Sequence, residues 1–324
     1  MIEFKNVSKD FPDGTKAVKN VSFKVNEGEM FVIIGPSGCG KTTTMKMINR
    51  LIDSSEGKIL IENKNILDMN IKKLRWNIGY VLQQIALFPH MTIEENISIV
   101  PELKKWSKEE THKRVNELLN MVGLDPDTYR DRIPSELSGG QQQRIGVVRA
   151  LAGNPDIILM DEPFSALDPI SREQLQGDIV KLQKEIKKTI VFVTHDMDEA
   201  LALGNRICVM KDGGVVQIDD PATLLRNPTD EFVREFLGDR KDPWSELVSE
   251  LFPLTEKEIP PAYDASSSLS ASATVKEALD KLKKVDDDSI AIFENNDYRG
   301  HLSYRDITLY LEKNRVKTKG GARS

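Results

Sequence analysis

Residues 35–42 have the types and spacing of a loop that binds a phosphate group. They read Gly-Pro-Ser-Gly-Cys-Gly-Lys-Thr and fit the pattern GxxxxGK[ST]. The glycines let backbone N–H groups turn towards an anion, and the start of a helix adds partial positive charge. Lys41 can then reach terminal phosphates, and the Thr42 hydroxyl can hold Mg²⁺. The context fits, because an apolar strand-like run, 30–34, precedes the loop and a helix-like stretch follows it to Leu51.

A second segment ends in two adjacent carboxylates. Residues 156–162 read Asp-Ile-Ile-Leu-Met-Asp-Glu, and such an apolar run suits a buried strand of a parallel sheet. Open α/β sheets bind their ligands at the carboxyl ends of the strands, so Asp161 is expected to face the ligand and to orient Mg²⁺ through water. Glu162 is then expected to point elsewhere and to be free to polarise a water molecule.

The composition is that of an ordinary soluble globular protein. The chain has 324 residues, of which 30% are charged and 39% apolar, enough for one large domain and a small one. A net charge of −6 argues against nucleic-acid binding through phosphate neutralisation. Two distant cysteines, Cys39 and Cys208, favour a reducing compartment over a disulfide framework. Neither a signal peptide nor a membrane-spanning segment is expected from the apolar runs.

The order of elements predicts an α/β fold. Residues 1–30 alternate apolar and polar positions, which predicts antiparallel strands joined at the turn 12–14. Further elements are predicted by their spacing: helices after Ser107 and over 171–187, a buried strand over 190–193, and a hairpin over 206–218 around Asp212 and Gly213. Strands that alternate with helices predict a mainly parallel sheet.

From about Gly238 the pattern changes. Residues 239–261 are mixed and polar, and 264–272 are small and polar, which favours a flexible entry to a second domain. A β/α unit is then predicted: a helix capped by Thr274 with Glu277 in the capping box, strands over 289–293 and 298–303, a turn over 295–297 and a last helix capped by Asp306. The basic residues 315–324 are expected to be disordered.

The segment 137–141, Leu-Ser-Gly-Gly-Gln, narrows the function. Together with Ser-Ala-Leu-Asp at 165–168 and His195 after the strand 190–193, it closely resembles an ATP-binding cassette (ABC) ATPase over about residues 1–238. The resemblance implies a P-loop ABC ATPase fold with an N-terminal antiparallel β subdomain and a helical subdomain. It also implies a head-to-tail dimer that encloses two ATP molecules. Read without the resemblance, the segment 137–141 also fits a simple helix N-cap.

The resemblance implies a role for each site residue. Phe11 would stack on adenine, although it also fits an ordinary core aromatic; Glu162 would be the general base, and His195 would contact the γ-phosphate. Gln83 would reach Mg²⁺ and the attacking water, but Gln84 follows it and the register stays open by one residue. In full, the resemblance implies catalysis by Glu162, His195 and Gln83, Mg²⁺ ligation by Thr42, Gln83 and Asp161, and ATP binding by Phe11, Gly35, Pro36, Ser37, Gly38, Cys39, Gly40, Lys41, Thr42, Thr43, Ser138, Gly139, Gly140, Gln141 and Asp168.

Three segments, 49–51, 99–103 and 125–132, look like those of importers of quaternary amines (glycine betaine, carnitine, choline), which act in osmoprotection. Residues 300–306 resemble the strand-to-helix end of a cystathionine-β-synthase-type (CBS) module, which usually comes in pairs; here there is one copy. The tail is therefore either a regulatory module that binds an adenine nucleotide when two tails pair, or a small dimerisation domain without a ligand.

The sequence thus predicts the ATPase subunit of an importer, peripheral at the cytoplasmic face of the membrane. Its partners would be a second copy, membrane permease subunits that contact the surface near residues 83–97 and, indirectly, a substrate-binding protein, with no nucleic acid. The predicted domains are a nucleotide-binding domain (1–238), a linker (239–261), a CBS-like domain (262–313) and a basic tail (314–324). The alternatives are an ABC transporter ATPase for another solute, including an exporter, and a non-transport ABC protein of DNA repair or translation.

Overall fold

A computed structural model of the chain describes residues 1–165, 167–238, 246–254, 268–284, 289–294 and 297–317. The described residues divide into two compact units. The first comprises Met1–Leu224 and Thr229–Val233, and the second comprises Leu225–Pro228 and the residues from Arg234 onwards. This division falls some residues before position 238, at which the sequence predicts the end of the nucleotide-binding domain.

The strands of the first unit are β1 (Ile2–Asp10), β2 (Lys16–Val25), β3 (Met30–Ile34), β4 (Glu56–Ile61), β5 (Lys64–Asn65), β6 (Ile78–Val81), β7 (Ile157–Asp161), β8 (Thr189–Thr194), β9 (Arg206–Lys211) and β10 (Gly214–Asp219). The helices that begin in it are α1 (Lys41–Ile48), α2 (Ile71–Trp76), α3 (Ile93–Leu103), α4 (Lys108–Met121), α5 (Pro126–Tyr129), α6 (Gly139–Leu151), α7 (Pro169–Ile186), α8 (Met197–Leu203), α9 (Pro221–Arg226) and α10 (Glu231–Leu237). Short 3₁₀ helices cover Ile66–Asp68 and Pro134–Glu136.

An antiparallel sheet of order β2-β1-β4-β5 forms from the N-terminal residues. Strands β1 and β2 pair with Ile2 opposite Val25 and Phe4 opposite Phe23, and the two phenyl rings stack with centroids 4.4 Å apart. Their alternating apolar side chains face the core, as the period of two requires. The predicted antiparallel pair and its turn are therefore confirmed, whereas the β4–β5 hairpin was not predicted.

The second sheet of this unit has the order β10-β9-β3-β8-β7-β6, and its five strands from β9 to β6 are parallel. All residues of β3, β7 and β8 are buried, which explains their continuous apolar sequence. The register pairs Ile34 with Thr194, Asp161 with Val193 and Val81 with Met160. The residues that follow β3, β6, β7 and β8 therefore meet at the end of the sheet where the parallel strands have their carboxyl ends.

The helical part of the first unit begins with α3 and includes the predicted helix α4. Ser107 caps α4 in a capping box with Glu110, and the apolar face predicted from the spacing is buried. Helix α3 was not predicted, because Pro101 lies inside it and lowers the expectation of a helix. No helix in the described part of the chain is both long and apolar enough to cross a membrane.

The second unit contains a sheet of order β11-β12-β13, formed by Ser268–Ser270, Ser289–Glu294 and Asp297–Ser303. Its helices are α11 (Val275–Leu282) and α12 (Tyr304–Lys317), and a 3₁₀ helix covers Val248–Leu254. Strands β11 and β12 are parallel, and β12 and β13 are antiparallel. One apolar core joins these elements: Val248, Leu251, Ala271, Val275, Ala278, Leu282, Ile290, Ile292, Leu302, Ile307 and Tyr310.

Two details of this unit differ from the sequence-based expectation. Ser303, not Asp306, has the capping position of α12: its hydroxyl accepts the Asp306 N–H, and the Asp306 carboxylate accepts the Ser303 N–H. Val248 and Leu251 lie in the core although they belong to the segment 239–261, which was predicted to be a linker. The capping box of Thr274 and Glu277 is confirmed. Residues 295 and 296 of the predicted turn lie outside the described residues, as do 318–324 of the predicted tail.

Candidate functional site

The phosphate loop connects the end of β3 to the start of α1. Gly40 caps α1 in the left-handed conformation (φ 99°), and a Cβ atom there would lie 2.3 Å from the carbonyl oxygen of Ala17. A Cβ atom on Gly35 would lie 2.2 Å from the carbonyl oxygen of Met210. Neither position can accept a side chain without movement of the backbone, so glycine is required at both.

Lys41 lies at the centre of this loop. It is buried, and its Nζ donates hydrogen bonds to the carbonyl oxygens of Gly35 (2.8 Å) and Pro36 (3.0 Å). A buried ammonium group needs such acceptors because water does not solvate it. The ammonium group of Lys41 therefore lies against backbone carbonyls of the loop, among the residues that the sequence predicts to bind phosphate.

The neighbouring Thr42 reaches the first carboxylate of the predicted pair. Its Oγ1 donates to Asp161 Oδ1 at 2.9 Å, and the Tyr80 hydroxyl donates to Asp161 Oδ2 at 3.3 Å. Burial raises the pKa of Asp161, while Thr42, Lys46 and Tyr80 act in the opposite direction. Burial and the Asp161 charge raise the pKa of Tyr80, so its phenol stays protonated and remains a donor.

Glu162 faces a different group of side chains, as expected. Its backbone is in the left-handed region (φ 43°), and its N–H donates to the carbonyl oxygen of Val193. This turn separates it from Asp161. Glu162 Oε2 lies 3.0 Å from His195 Nδ1 and accepts a hydrogen bond of 3.4 Å from Gln83 Nε2. Gln83 is therefore the glutamine of the pair 83–84 that meets this carboxylate.

The donor atoms at this edge of the sheet suit a hard cation. The Thr42 hydroxyl, the Asp161 carboxylate and the Gln83 side-chain carbonyl all offer oxygen, the element that Mg²⁺ prefers. Since Gln83 uses its NH₂ group towards Glu162, its carbonyl oxygen is left for other contacts. No cluster of three His, Cys, Asp or Glu side chains that could hold a metal occurs among the described residues. The donor set thus fits Mg²⁺, which keeps several waters and phosphate oxygens as ligands.

The other predicted residues lie on separate elements. Phe11 begins the turn between β1 and β2, where it is only partly buried and its ring lies 5.3 Å from Lys9 Nζ, so it is not a core aromatic. Asp168 is exposed and its carbonyl oxygen accepts the N–H of Arg172, at the start of α7. Phe11 and Asp168 thus lie on elements other than those that carry the hydrogen-bonded group of Thr42, Asp161 and Tyr80.

Ser138 is the N-cap of α6. Its Oγ accepts the N–H of Gln141 at 3.3 Å, and the Gln141 side-chain oxygen accepts the Ser138 N–H at 2.9 Å, which completes a capping box. Gly139 is exposed, and a Cβ atom built there would meet no atom within 4 Å. Within one chain, the segment 138–141 therefore caps its own helix and leaves an open surface beside it.

Sequence reasoning missed two supports of the site. Tyr80 was not predicted as a site residue, because its contact with Asp161 depends on the register of β6 and β7. Glu199 is buried on α8 and accepts a hydrogen bond of 2.5 Å from the Thr194 hydroxyl, which also accepts the Asp196 N–H. Thr194 and Asp196 flank His195, so these bonds fix its backbone. A carboxylate three residues after Asp196 was the available sequence signal.

Comparison with known proteins agrees with this geometry. A family model described as "ABC transporter" matches residues 18–165. The choline transport ATP-binding protein OpuBA of Bacillus subtilis is 51% identical over 309 residues, which cover 95% of this chain and 79% of that protein. The carnitine transport ATP-binding protein OpuCA of Listeria monocytogenes is 50% identical over 311 residues, or 95% of this chain and 76% of that protein.

The fold has solved counterparts as well. The ATP-binding cassette MJ0796, in a dimeric post-hydrolysis state bound to ADP and phosphate, matches with a TM-score of 0.62 and 39% identity. The match covers 68% of this chain and 99% of that one. CbiO1 of Clostridium perfringens, part of an ABC transporter complex, matches with a TM-score of 0.65 and 30% identity, over 69% of this chain and 90% of that one. The chain therefore belongs to the ABC transporter family, as one of its ATP-binding proteins.

Proposed function

We propose that this chain is the ATP-hydrolysing subunit of an importer for quaternary amine osmoprotectants such as choline, carnitine and glycine betaine. One observation carries the enzymatic part: Glu162 contacts His195 and Gln83 immediately beside the phosphate loop and Asp161. A carboxylate so held can act as a base next to a bound triphosphate. The solute class rests on the names of the relatives, which are choline and carnitine transport ATP-binding proteins.

The nucleotide would bind across the edge of the parallel sheet. The phosphates would be held by the N-terminus of α1 and by backbone N–H groups of the loop 35–43, which all of its residues except Pro36 have. Lys41 would exchange its two loop carbonyls for phosphate oxygens. The partly exposed ring of Phe11 offers a flat surface to adenine. In this arrangement the adenine ring and the phosphates of the nucleotide are held by different elements of the first unit.

Mg²⁺ would be held by Thr42, by Asp161, directly or through water, and by Gln83. When bound, the ion neutralises charge on the β- and γ-phosphates. Asp161 supports this assignment because it is buried and the two hydroxyl groups that donate to it are neutral, so a cation bound beside it would compensate its charge.

Glu162 would deprotonate or orient the attacking water, and His195 would contact the γ-phosphate. The contact between Glu162 and His195 links the proposed general base to the residue that would contact the γ-phosphate. Gln83 donates to the same carboxylate oxygen, which leaves the other oxygen of Glu162 for the water. Each of the three side chains thus has a distinct task in a transfer that depends on positioning.

A second copy of the chain would complete the site, as the dimeric state of the cassette MJ0796 suggests. Ser138, Gly139, Gly140 and Gln141 of one copy would close on the γ-phosphate held by the other, with Asp168 at the same junction. The capping box does not prevent this, since Ser138 Oγ uses one lone pair towards Gln141 and keeps its hydrogen for a phosphate oxygen. The open space at Gly139 leaves room for the partner's nucleotide.

Membrane permease subunits would receive the motion of the dimer at the surface near residues 83–97, at the cytoplasmic face of the membrane. Phe88 is 52% exposed there. The buried Asn96 side chain holds its backbone on both sides, accepting the Phe88 N–H and donating to the Phe88 carbonyl. A substrate-binding protein would act on the far side of the permease. For the tail, a CBS-like module that pairs with a second tail, with or without an adenine nucleotide, remains the proposal.

The enzymatic part is tested by phosphate release from the purified chain, with Lys41→Ala as the variant. We expect Mg²⁺-dependent hydrolysis and a loss of ATP binding in the variant, because it removes the charge aimed at the phosphates. If the Lys41→Ala variant hydrolysed ATP as fast as the wild type, the assignment of residues 35–42 as the phosphate-binding loop would be contradicted.

The transport part is tested by uptake of labelled choline, carnitine and glycine betaine into vesicles that contain this chain, the permease subunits and the binding protein. Uptake that requires ATP inside the vesicle and disappears with Lys41→Ala supports the importer. Hydrolysis that proceeds without uptake of any of these amines would leave the ATPase and exclude the proposed solute class.

A further inference from the structure

The carboxylate of Asp161 is held by two hydroxyl groups from two different elements. Thr42, on α1, donates to Oδ1 at 2.9 Å, and Tyr80, on β6, donates to Oδ2 at 3.3 Å. Each oxygen therefore has one donor. Because the two donors hold different oxygens, they oppose rotation of the carboxylate about the Cβ–Cγ bond.

Tyr80 is well placed to act on Asp161. Strand β6 is the edge strand of the parallel sheet beside β7, and the register sets Tyr80 opposite Leu159, two residues before Asp161. Its ring is partly buried and packs against the core of the unit, which fixes the direction of the hydroxyl. Asp161 itself is only 4% exposed, so bulk water has little access to replace the phenol.

We propose that Tyr80 is a positioning residue for Mg²⁺, which it affects by fixing the Asp161 carboxylate without touching the ion. The inference rests on the proposed function, because it takes Asp161 as a member of the cation site. Outer hydrogen bonds of this kind orient ligands and typically change metal affinity 10- to 100-fold when they are removed. Tyr80 has no other chemical task in the hydrolysis proposed above.

The length of the contact sets the expected size of the effect. At 3.3 Å it is longer than the usual O–H···O distance of about 2.7–2.8 Å. We therefore expect an effect at the lower end of the 10- to 100-fold range: the affinity for Mg²⁺ should fall about 10-fold when the hydroxyl is removed. Binding of the nucleotide without Mg²⁺ should not change, because the removed hydroxyl bonds to Asp161 and the ring that packs against the core is kept.

The test is Tyr80→Phe in the full-length chain, which removes one oxygen and keeps the ring. A fluorescent, non-hydrolysable ATP analogue is titrated first in EDTA and then at increasing MgCl₂. We expect unchanged affinity in EDTA and a half-saturating Mg²⁺ concentration about 10-fold higher than that of the wild type. Tyr304→Phe, which removes an exposed phenol from the second unit, is the matched control and should not alter either value.

Each other outcome overturns a specific statement. An equal Mg²⁺ dependence in Tyr80→Phe and the wild type would contradict the positioning role while leaving the proposed function intact. An equal loss of affinity with and without Mg²⁺ would assign Tyr80 to packing around the loop. A wild type that binds the analogue without any Mg²⁺ dependence would contradict the cation site itself, and thus the proposed function.

Discussion

The replacement of Glu162 by Gln separates catalysis from folding and from nucleotide binding. It changes one carboxylate oxygen to an NH₂ group of nearly the same size. The backbone bonds of Glu162, from its N–H to Val193 and from Ser165 to its carbonyl oxygen, do not involve the side chain and should persist. The remaining amide oxygen can still accept from His195. The variant should therefore fold, bind ATP and fail to accept a proton.

The structure allows the size of the loss to be worked out. A positioned general base contributes about 10²–10⁴-fold to a rate, which corresponds to about 2.7–5.4 kcal/mol in the barrier. The Glu162 side chain is 18% exposed and His195 is 59% exposed, so solvent water reaches the histidine more easily than the base. His195 is also hydrogen-bonded through the nitrogen that faces Glu162 and cannot easily replace it. We expect a loss near the middle of the range, about 10³-fold.

Phosphate release under saturating Mg-ATP measures this loss, and a fluorescent ATP analogue measures binding in parallel. Glu29→Gln is the matched control. Glu29 is a buried glutamate that pairs with Arg206, and it lies beside the amino end of β3, away from the end of the sheet that carries Glu162. It should keep its activity within about threefold, or about 0.7 kcal/mol. A loss in Glu162→Gln of less than tenfold, with Glu29→Gln unaffected, would refute the assignment of the base.

Four further outcomes are expected. In the Glu162→Gln background, Ser138→Arg should abolish the ATP-dependent dimer seen by light scattering and keep ATP binding; a dimer of unchanged yield would exclude the shared site. Asn96→Ala should lower the free energy of unfolding by about 2–3 kcal/mol, because the side chain makes four hydrogen bonds while fully buried, and a change below about 0.5 kcal/mol in a denaturant titration would contradict this. Deletion of residues 239–324 should leave phosphate release within about threefold, and a larger loss would show that the second unit takes part in hydrolysis. Burial raises the pKa of Glu199, so its ionised form destabilises the fold above that pKa; Glu199→Gln should raise the thermal midpoint at pH 7 and less so as the pH falls towards 5, and an equal shift at both pH values would exclude this cause.

The sequence was sufficient wherever the chemistry lies within a short segment. The phosphate loop, the carboxylate pair and the buried strands around them were predicted because glycine spacing, charge and apolar runs act locally. The start of α4 near Ser107 and the capping box of α11 were predicted for the same reason. Helix α3 was not predicted, although Thr92 and Glu95 form a capping box at its start; Pro101 lies inside it and weakens the local helical signal.

Contacts that depend on register between distant segments could not be predicted. The bond from Tyr80 to Asp161 joins residues 81 positions apart and exists only because β6 pairs in parallel with β7. The choice between Gln83 and Gln84 likewise needed the direction of one side chain towards Glu162. Val248 belongs to the core of the second unit through residues that follow it by more than twenty positions, so its role could not be predicted from its own segment.

The position of the Ala17 carbonyl oxygen determines how the proposed nucleotide site would respond to a substitution in the phosphate loop. Gly40 and Gly213 both lie close to the Ala17 carbonyl oxygen, and the Lys19 N–H donates to the Gly213 carbonyl. Strand β2 therefore contacts both the phosphate loop and the β9–β10 hairpin. The same strand leads back to the turn that carries Phe11. In the proposed site, one strand thus joins the phosphate loop to the aromatic surface of Phe11 that would meet adenine. A side chain at Gly40 would displace the Ala17 backbone, and we expect it to shift the proposed adenine surface at Phe11 as well as the proposed phosphate site.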